Sequence, residues 1–263
     1  MKKLRLAALL VGVFIPALAI AQSSFDGTWK VELKNAQLPQ KPDELLVQNG
    51  MYHCKTCVPP IDVKADGQDQ KVAGQPYFDT VNIKILDDRR IQQTNKKNGK
   101  TVGTSTGTLS ADGNTLTFEF SDSSATNSKP VTGKIEQTRV SKGPAGAHAV
   151  SGSWRSAKLD SMSENGLLFT YKLQGDILSF STPTGQSYTA KLDGTEAPMK
   201  GDPGTTSVSV RRLDKSTLEE TDKREGKVIA VVRIILAADG KSLTFAIDDK
   251  LHGTTSQFAA TKQ

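Results

Sequence analysis

Histidine and cysteine are scarce in this 263-residue chain, three of the first and two of the second, and aromatic residues make up only 6%. With so few nitrogen and sulfur ligands, a zinc site of four ligands, or of three plus water, has little to draw on. No run of 18 or more apolar residues continues past the N-terminus, so a multi-span membrane protein is excluded. Lys and Arg exceed Asp and Glu only by 34 to 28, with no basic stripe and no interleaved aromatics, so a nucleic-acid-binding composition is absent as well. What is present suits a globular protein: 36% of residues are hydrophobic and 24% charged. Adding the 22 glycines brings the apolar fraction to about 44%, near the ~45–50% of ordinary folded chains, and disorder is excluded.

The one long apolar stretch reads as a signal peptide. Lys2, Lys3 and Arg5 form its basic start, Leu6 to Ile15 its apolar body, and Ala19-Ile20-Ala21 its small-x-small cleavage site. Pro16 and the polar Gln22-Ser23-Ser24 break the run before it reaches the ~20 residues of a membrane anchor. Cleavage after Ala21 takes the net charge from +6 to +3, because the three cations leave with the leader. No cysteine follows to carry a lipid, so the mature protein is expected to be periplasmic or secreted, without a membrane span.

The rest is a tandem repeat. Gly27-Thr28-Trp29-Lys30 returns as Gly152-Ser153-Trp154-Arg155. At a constant offset of 127, Asp66-Gly67 returns as Asp193-Gly194, Gln93-Thr94 as Glu220-Thr221, and Ala111-Asp112-Gly113 as Ala238-Asp239-Gly240. One register held over that many motifs marks an internal duplication. Between the halves, residues 141–149 are small and rich in Gly and Pro, the composition of a linker. The division is therefore a leader at 1–21, repeat one at 25–140, the linker at 141–149 and repeat two at 150–263.

Both repeats read as β. Val81, Ile83 and Ile85 alternate with Asn82, Lys84 and Leu86, and Val208 and Val210 with Ser209 and Arg211, the period of a half-buried strand. Asn49-Gly50, Asp66-Gly67, Asn98-Gly99, Asp112-Gly113, Asp193-Gly194 and Asp239-Gly240 are dipeptides that close hairpins at positive φ. Eight or so antiparallel strands per half, without crossover helices, predict an all-β protein of two tandem up-and-down barrels; a β-sandwich is the alternative.

A Gly-x-Trp on the first strand, hairpin-connected strands and a basic residue on the last strand resemble the lipocalin-like, or calycin, barrels. Gly-Thr-Trp-Lys, an Asp-Gly…Gly-x-Pro segment and a late Asp-Gly hairpin, present in both halves, look like uncharacterised secreted bacterial proteins of that kind. The resemblance implies that each first-strand Trp plugs the closed end of its barrel under a cation from the last strand. The pairs expected within each repeat are Trp29 with Arg139 and Trp154 with Lys262, the arginine cap being the stronger because a planar guanidinium stacks on an indole. It also implies a small, frequently apolar ligand.

Chemistry is concentrated only at His53-Cys54-Lys55-Thr56-Cys57, followed by Val58-Pro59-Pro60. In an oxidising compartment a Cys54–Cys57 disulfide is expected, in a turn rather than on a straight strand. Redox and metal readings remain open beside it, although no helix or βαβ context supports the first and only His53, His148 and His252 exist for the second. Repeat two has no cysteine at the corresponding Ser181-Thr182-Pro183. Gly99-Lys100-Thr101 lacks the first glycine of a phosphate loop, Thr94 standing in its place, and lies in a hairpin. Asp87-Asp88 and Glu219-Glu220 read as solvated surface charge. No catalytic, cofactor-binding or metal constellation emerges, and nothing points to an enzyme. For a cavity, Thr104, Thr106 and Thr108 in repeat one and Ile229, Val231 and Ile234 to Leu236 in repeat two are the inward candidates. The expected function is binding of a small, partly apolar molecule in the cell envelope; the competing one is a structural or protein-interaction module with solid barrels.

Overall fold

The computed structural model describes residues 24–125 and 129–263, so the signal peptide expected at 1–21 and the expected cleavage site lie outside the described residues. Twenty strands alternate with tight turns: β1 (Gly27–Gln37), β2 (Asp43–Gln48), β3 (Met51–Cys54), β4 (Ile61–Lys64), β5 (Asp66–Lys71), β6 (Thr80–Asp87), β7 (Arg90–Lys97), β8 (Lys100–Leu109), β9 (Thr115–Asp122) and β10 (Val131–Lys142) come from repeat one. Repeat two supplies β11 (Gly152–Met162), β12 (Leu168–Gln174), β13 (Ile177–Ser181), β14 (Ser187–Lys191), β15 (Asp193–Pro198), β16 (Ser207–Arg212), β17 (Thr217–Arg224), β18 (Lys227–Leu236), β19 (Ser242–Asp249) and β20 (Thr254–Lys262). They form two nearly closed antiparallel barrels of ten strands each. β4 and β5, and likewise β14 and β15, turn a corner at one residue, Ala65 or Leu192. The N–H of that residue donates to the carbonyl next along the adjacent ladder, Gly50 O or Asp176 O, at 2.8 Å in both cases.

The barrels are not the repeats. β11, the first strand of repeat two, lies in barrel one between β10 and β2, while β1 lies in barrel two between β20 and β12. Barrel one is thus residues 43–162 without interruption, and barrel two is 168–262 closed by a strand from the N-terminus. The expected boundaries at 140 and 150 are corrected accordingly. Residues 141–149 are no linker. Ser141 and Lys142 end β10, and 143–149 belong to the β10–β11 connection, which folds over the end of barrel one: Val150 is fully buried, His148 N–H donates to Val47 O (2.8 Å), and Gly143 N–H to Ser151 O (3.0 Å). The crossovers between barrels are instead 38–42 and 163–167.

The turn chemistry works where both turn residues sit at positive φ. Asn49-Gly50 (51° and 73°) and Asn98-Gly99 (52° and 77°) close the β2–β3 and β7–β8 hairpins, and Glu225-Gly226 (50° and 78°) closes β17–β18. Asp66-Gly67 and Asp193-Gly194 do not close hairpins. Each opens a strand, β5 or β15, through a bulge: the pairing register slips between Asp66 and Asp69 and between Asp193 and Glu196. The aspartates accept the N–H two residues on, from Gln68 (2.9 Å) and Thr195 (2.8 Å).

Candidate functional site

Each barrel is shut at one end by its tryptophan, but the partners follow the exchanged strands. Arg139 stacks on Trp154, its guanidinium carbon 4.0 Å from the ring centre, and Lys262 Nζ lies 5.1 Å from that of Trp29. The expected pairs Trp29–Arg139 and Trp154–Lys262 are therefore corrected, because each Gly-x-Trp strand closes the other repeat's barrel. Both indoles donate to the carbonyl four residues back, Trp29 to Phe25 O and Trp154 to Val150 O, each at 2.9 Å. Arg139 also donates to Gly113 O (2.6 Å), Ser151 O (2.7 Å) and Ala149 O (2.8 Å); among the described residues Lys262 donates only to Ser24 O, at 3.4 Å. The glycine of each motif is required by the cation crossing it. A Cβ on Gly27 would lie 2.4 Å from Lys262 Cε, and one on Gly152 would lie 2.8 Å from Arg139 and 2.2 Å from Ser141 O. These side chains hold the closed ends.

Cys54 and Cys57 form a disulfide in the bend after β3, their Cα atoms 5.4 Å apart. Both pack against the core of barrel one. His53 pairs with Asp62 across the β3–β4 ladder. Among the described residues no group of three His, Cys, Asp or Glu side chains is placed to hold a metal ion. No helix there is long and apolar enough to cross a membrane.

The inward faces differ from expectation. Residues directly opposite on neighbouring strands share a face, and buried Leu109 and Leu116 are paired, as are Gly107 and Phe118. The interior face of β8 is therefore Gly103, Ser105, Gly107 and Leu109. Thr104, Thr106 and Thr108 face outward, where Gln92 Nε2 meets Thr106 Oγ1 at 3.4 Å. In β18 the buried residues are Val232, Ile234 and Leu236; Val231 lines a groove outside the barrel, and Ile229 falls in a bulge that the pairing skips. Thr104, Thr106, Ile229 and Val231 are thus withdrawn as cavity residues. Alternation identifies which residues share a face, but not which of two half-polar faces meets the core.

The interior of barrel two carries a continuous aromatic cluster. Phe169, Tyr171, Phe180, Tyr188 and Phe245 pack in a chain with ring centres 5.1–6.2 Å apart. Against them, on the same face of β17 as Leu218, stand Glu220 and Asp222. The reading of Glu220 as solvated surface charge is corrected: its carboxylate takes the Tyr188 hydroxyl inside the barrel, whereas Glu219 points out to Arg211 and Arg233. Burial raises the Glu220 carboxyl to about 8, helped by the neighbouring Asp222 charge, and raises Asp222 to about 6. Asp222 Oδ1 is buried without a hydrogen-bond partner. The alternation Leu218-x-Glu220-x-Asp222 carried the signal, since a strand that buries the leucine must turn both acids the same way.

Barrel one is emptier. Where β18 has Ala230, Val232 and Ile234, β8 has Gly103, Ser105 and Gly107, and where β17 has Glu220 and Asp222, β7 carries Gln93 and Asn95. These amides form a chain from Tyr52, whose hydroxyl donates to Gln93 Oε1 (3.3 Å), and Gln93 Nε2 donates to Asn95 Oδ1 (2.9 Å). Phe118 and Phe120 lie on glycines: a Cβ on Gly107 would come 2.8 Å from Phe118, and one on Gly133 would come 2.6 Å from Phe120. Toward the open end this leaves a cavity of about 380 Å3, walled by Tyr77, Phe78, Phe120 and Val131, with Asn95 and Asp122 as polar groups and Thr184 and Gln186 of barrel two across it. The barrels are tied together at this rim. Tyr77 donates to Asp202 Oδ1 (2.8 Å), Gln186 Nε2 to Ala125 O, and Gly204 lies so close that a Cβ would stand 2.0 Å from the Tyr77 oxygen. Burial, with the Asp202 charge, pushes the Tyr77 hydroxyl well above the usual phenol range, so it remains a donor.

A scan against protein-family models finds none that matches this chain, and a search of curated proteins finds no match either.

Proposed function

We propose that this is an exported protein that binds a small, partly apolar molecule at the mouth of barrel one. The cavity of about 380 Å3 carries the reading: aromatic and aliphatic walls with a few convergent polar groups are the usual make-up of a small-molecule site. The basic, apolar and small-x-small segments of the N-terminus support export to the periplasm or beyond, and the resemblance to lipocalin-like barrels supports a carrier or sequestering role. For barrel two, the continuous aromatic packing favours the second reading, a solid module that braces the rim of the first.

Native mass spectrometry of protein recovered from the periplasm without detergent tests the proposal. The expected result is an extra mass on the folded protein that disappears on denaturation and is absent from Val131→Trp, which fills the cavity from its half-buried wall. An apo mass for the wild type, or an adduct that survives Val131→Trp, overturns it. The denatured mass also reads export, since cleavage after Ala21 leaves a chain beginning at Gln22.

A further inference from the structure

At the end of barrel one opposite the mouth, a second concavity of about 370 Å3 lies beside the Trp154 cap, and its charge is unbalanced. Arg89, Arg139 and Lys142 line it against a single carboxylate, Asp112. Asp112 is occupied within its own turn, accepting from Ser110 Oγ (2.6 Å), Asn114 N (3.0 Å) and Asn114 Nδ2 (3.3 Å). All donors that Arg139 uses go to neutral carbonyls, so this part-buried guanidinium has no counter-charge. Burial accordingly lowers its pKa. Arg89 and Lys142 are exposed and make no side-chain hydrogen bond or ion pair among the described residues. His148 is engaged locally: its Nδ1 accepts the Val150 N–H (3.3 Å), and its Nε2 faces the Asp87 carbonyl at 2.7 Å.

We propose that this pocket binds a phosphate group. Three cations against one carboxylate leave a surplus of two positive charges, the complement of a phosphate monoester dianion. A concave site with low-dielectric walls focuses that field, and a guanidinium suits phosphate oxygens. The site lies at the far end of the barrel from the mouth cavity and stands or falls separately from it.

Calorimetric titration of the folded full-length protein with inorganic phosphate and with glycerol phosphate, at ionic strength held constant with chloride, is the test. Saturable binding is expected, weakened about tenfold or more in Arg89→Ala/Lys142→Ala, which removes two charge-assisted contacts while disturbing no packed side chain. Lys64→Ala/Lys84→Ala makes the same change in net charge elsewhere on barrel one and should bind as the wild type does. In a Trp29→Phe background, Trp154 fluorescence should follow the titration, because the ligand sits on Arg139. Co-sedimentation with vesicles containing phosphatidic acid, absent with phosphatidylcholine alone and lost in Arg89→Ala/Lys142→Ala, supports the site with a lipid headgroup as the source. Glycerol phosphate binding without co-sedimentation supports it with a soluble monoester. No saturable binding, an equal response to chloride, or equal weakening in both double variants overturns the proposal.

Discussion

Barrels one and two share strand order, corner residues and tryptophan caps, yet they spend their interiors differently. At the same two positions of the same strand, barrel one carries the amides Gln93 and Asn95 and barrel two the acids Glu220 and Asp222. Beside them, Gly103, Ser105 and Gly107 face Ala230, Val232 and Ile234. Duplication preserved the elements that close a barrel, while the positions that fill it diverged. The barrel with small and neutral residues retains a cavity; the one with large residues is packed and stores two carboxyls that are uncharged more readily than usual. The caps diverged too. Arg139 satisfies three carbonyls besides covering its indole, where Lys262 satisfies one.

Breaking the stronger cap gives the largest expected effect. Arg139→Ala removes a cation over an indole and leaves Gly113 O and Ala149 O without their donor, while Ser151 O keeps the Gly143 N–H; partial access of water limits the loss to about 2–4 kcal/mol. Lys262→Ala should cost about 1 kcal/mol or less. Urea denaturation measures both. Fluorescence tells which barrel each cap serves: Arg139→Ala should shift Trp154 emission in a Trp29→Phe background and leave Trp29 emission unchanged in a Trp154→Phe background. The reverse pattern would return each first strand to its own repeat.

The second effect is a pH dependence set by the two acids inside barrel two. The folded-state values of Glu220 and Asp222 lie above the ordinary 4.5 and 3.8, so the folded state holds protons that the unfolded chain has released. Their contribution to stability is complete below those ordinary values and is lost as pH rises through about 6 and about 8. Glu220→Gln/Asp222→Asn, which installs barrel one's amides, should flatten the profile and make the protein more stable than wild type at pH 8. Equal slopes between pH 5 and 8 for the two proteins would show that the acids are solvated. The smallest effect concerns a turn. Glu225 holds the left-handed conformation (φ 50°) that Asn98 holds in the equivalent hairpin (φ 52°). Glu225→Asn should therefore raise stability by about 0.5–1 kcal/mol, and Asn98→Glu should lower it by a similar amount, both visible in thermal unfolding.

Much of this architecture was legible residue by residue. The 127-residue offset, the Asn-Gly turns and the alternation in β6 and β16 are local features that dictate β-hairpins wherever they occur. Cys54 and Cys57 are too close in sequence to pair except in a bend, and the bend is there. The identity of the four capping residues was also visible, since a tryptophan after glycine and a terminal cation recur in both halves. The mouth cavity was not legible: it arises from glycines opposite phenylalanines on neighbouring strands and from Thr184 and Gln186 arriving from the other barrel. The choice of Thr104 and Val231 as inward residues failed because both strands have two plausible faces, and only the ladder partners Leu116 and Glu220 decide between them.

Taken by itself, the sequence determined an all-β chain, duplicated, with its hairpins and barrel-closing residues in place. Only the tertiary structure decided which barrel each first strand enters. β1 and β11 carry the same motif and fit the same slot, so nothing local to either distinguishes the two arrangements. The difference lies in connectivity: β11 follows β10 through one short packed loop and pairs with it as a hairpin, the connection that chains favour. Once that hairpin is made, barrel one is complete, and the open edge between β20 and β12 is left for β1.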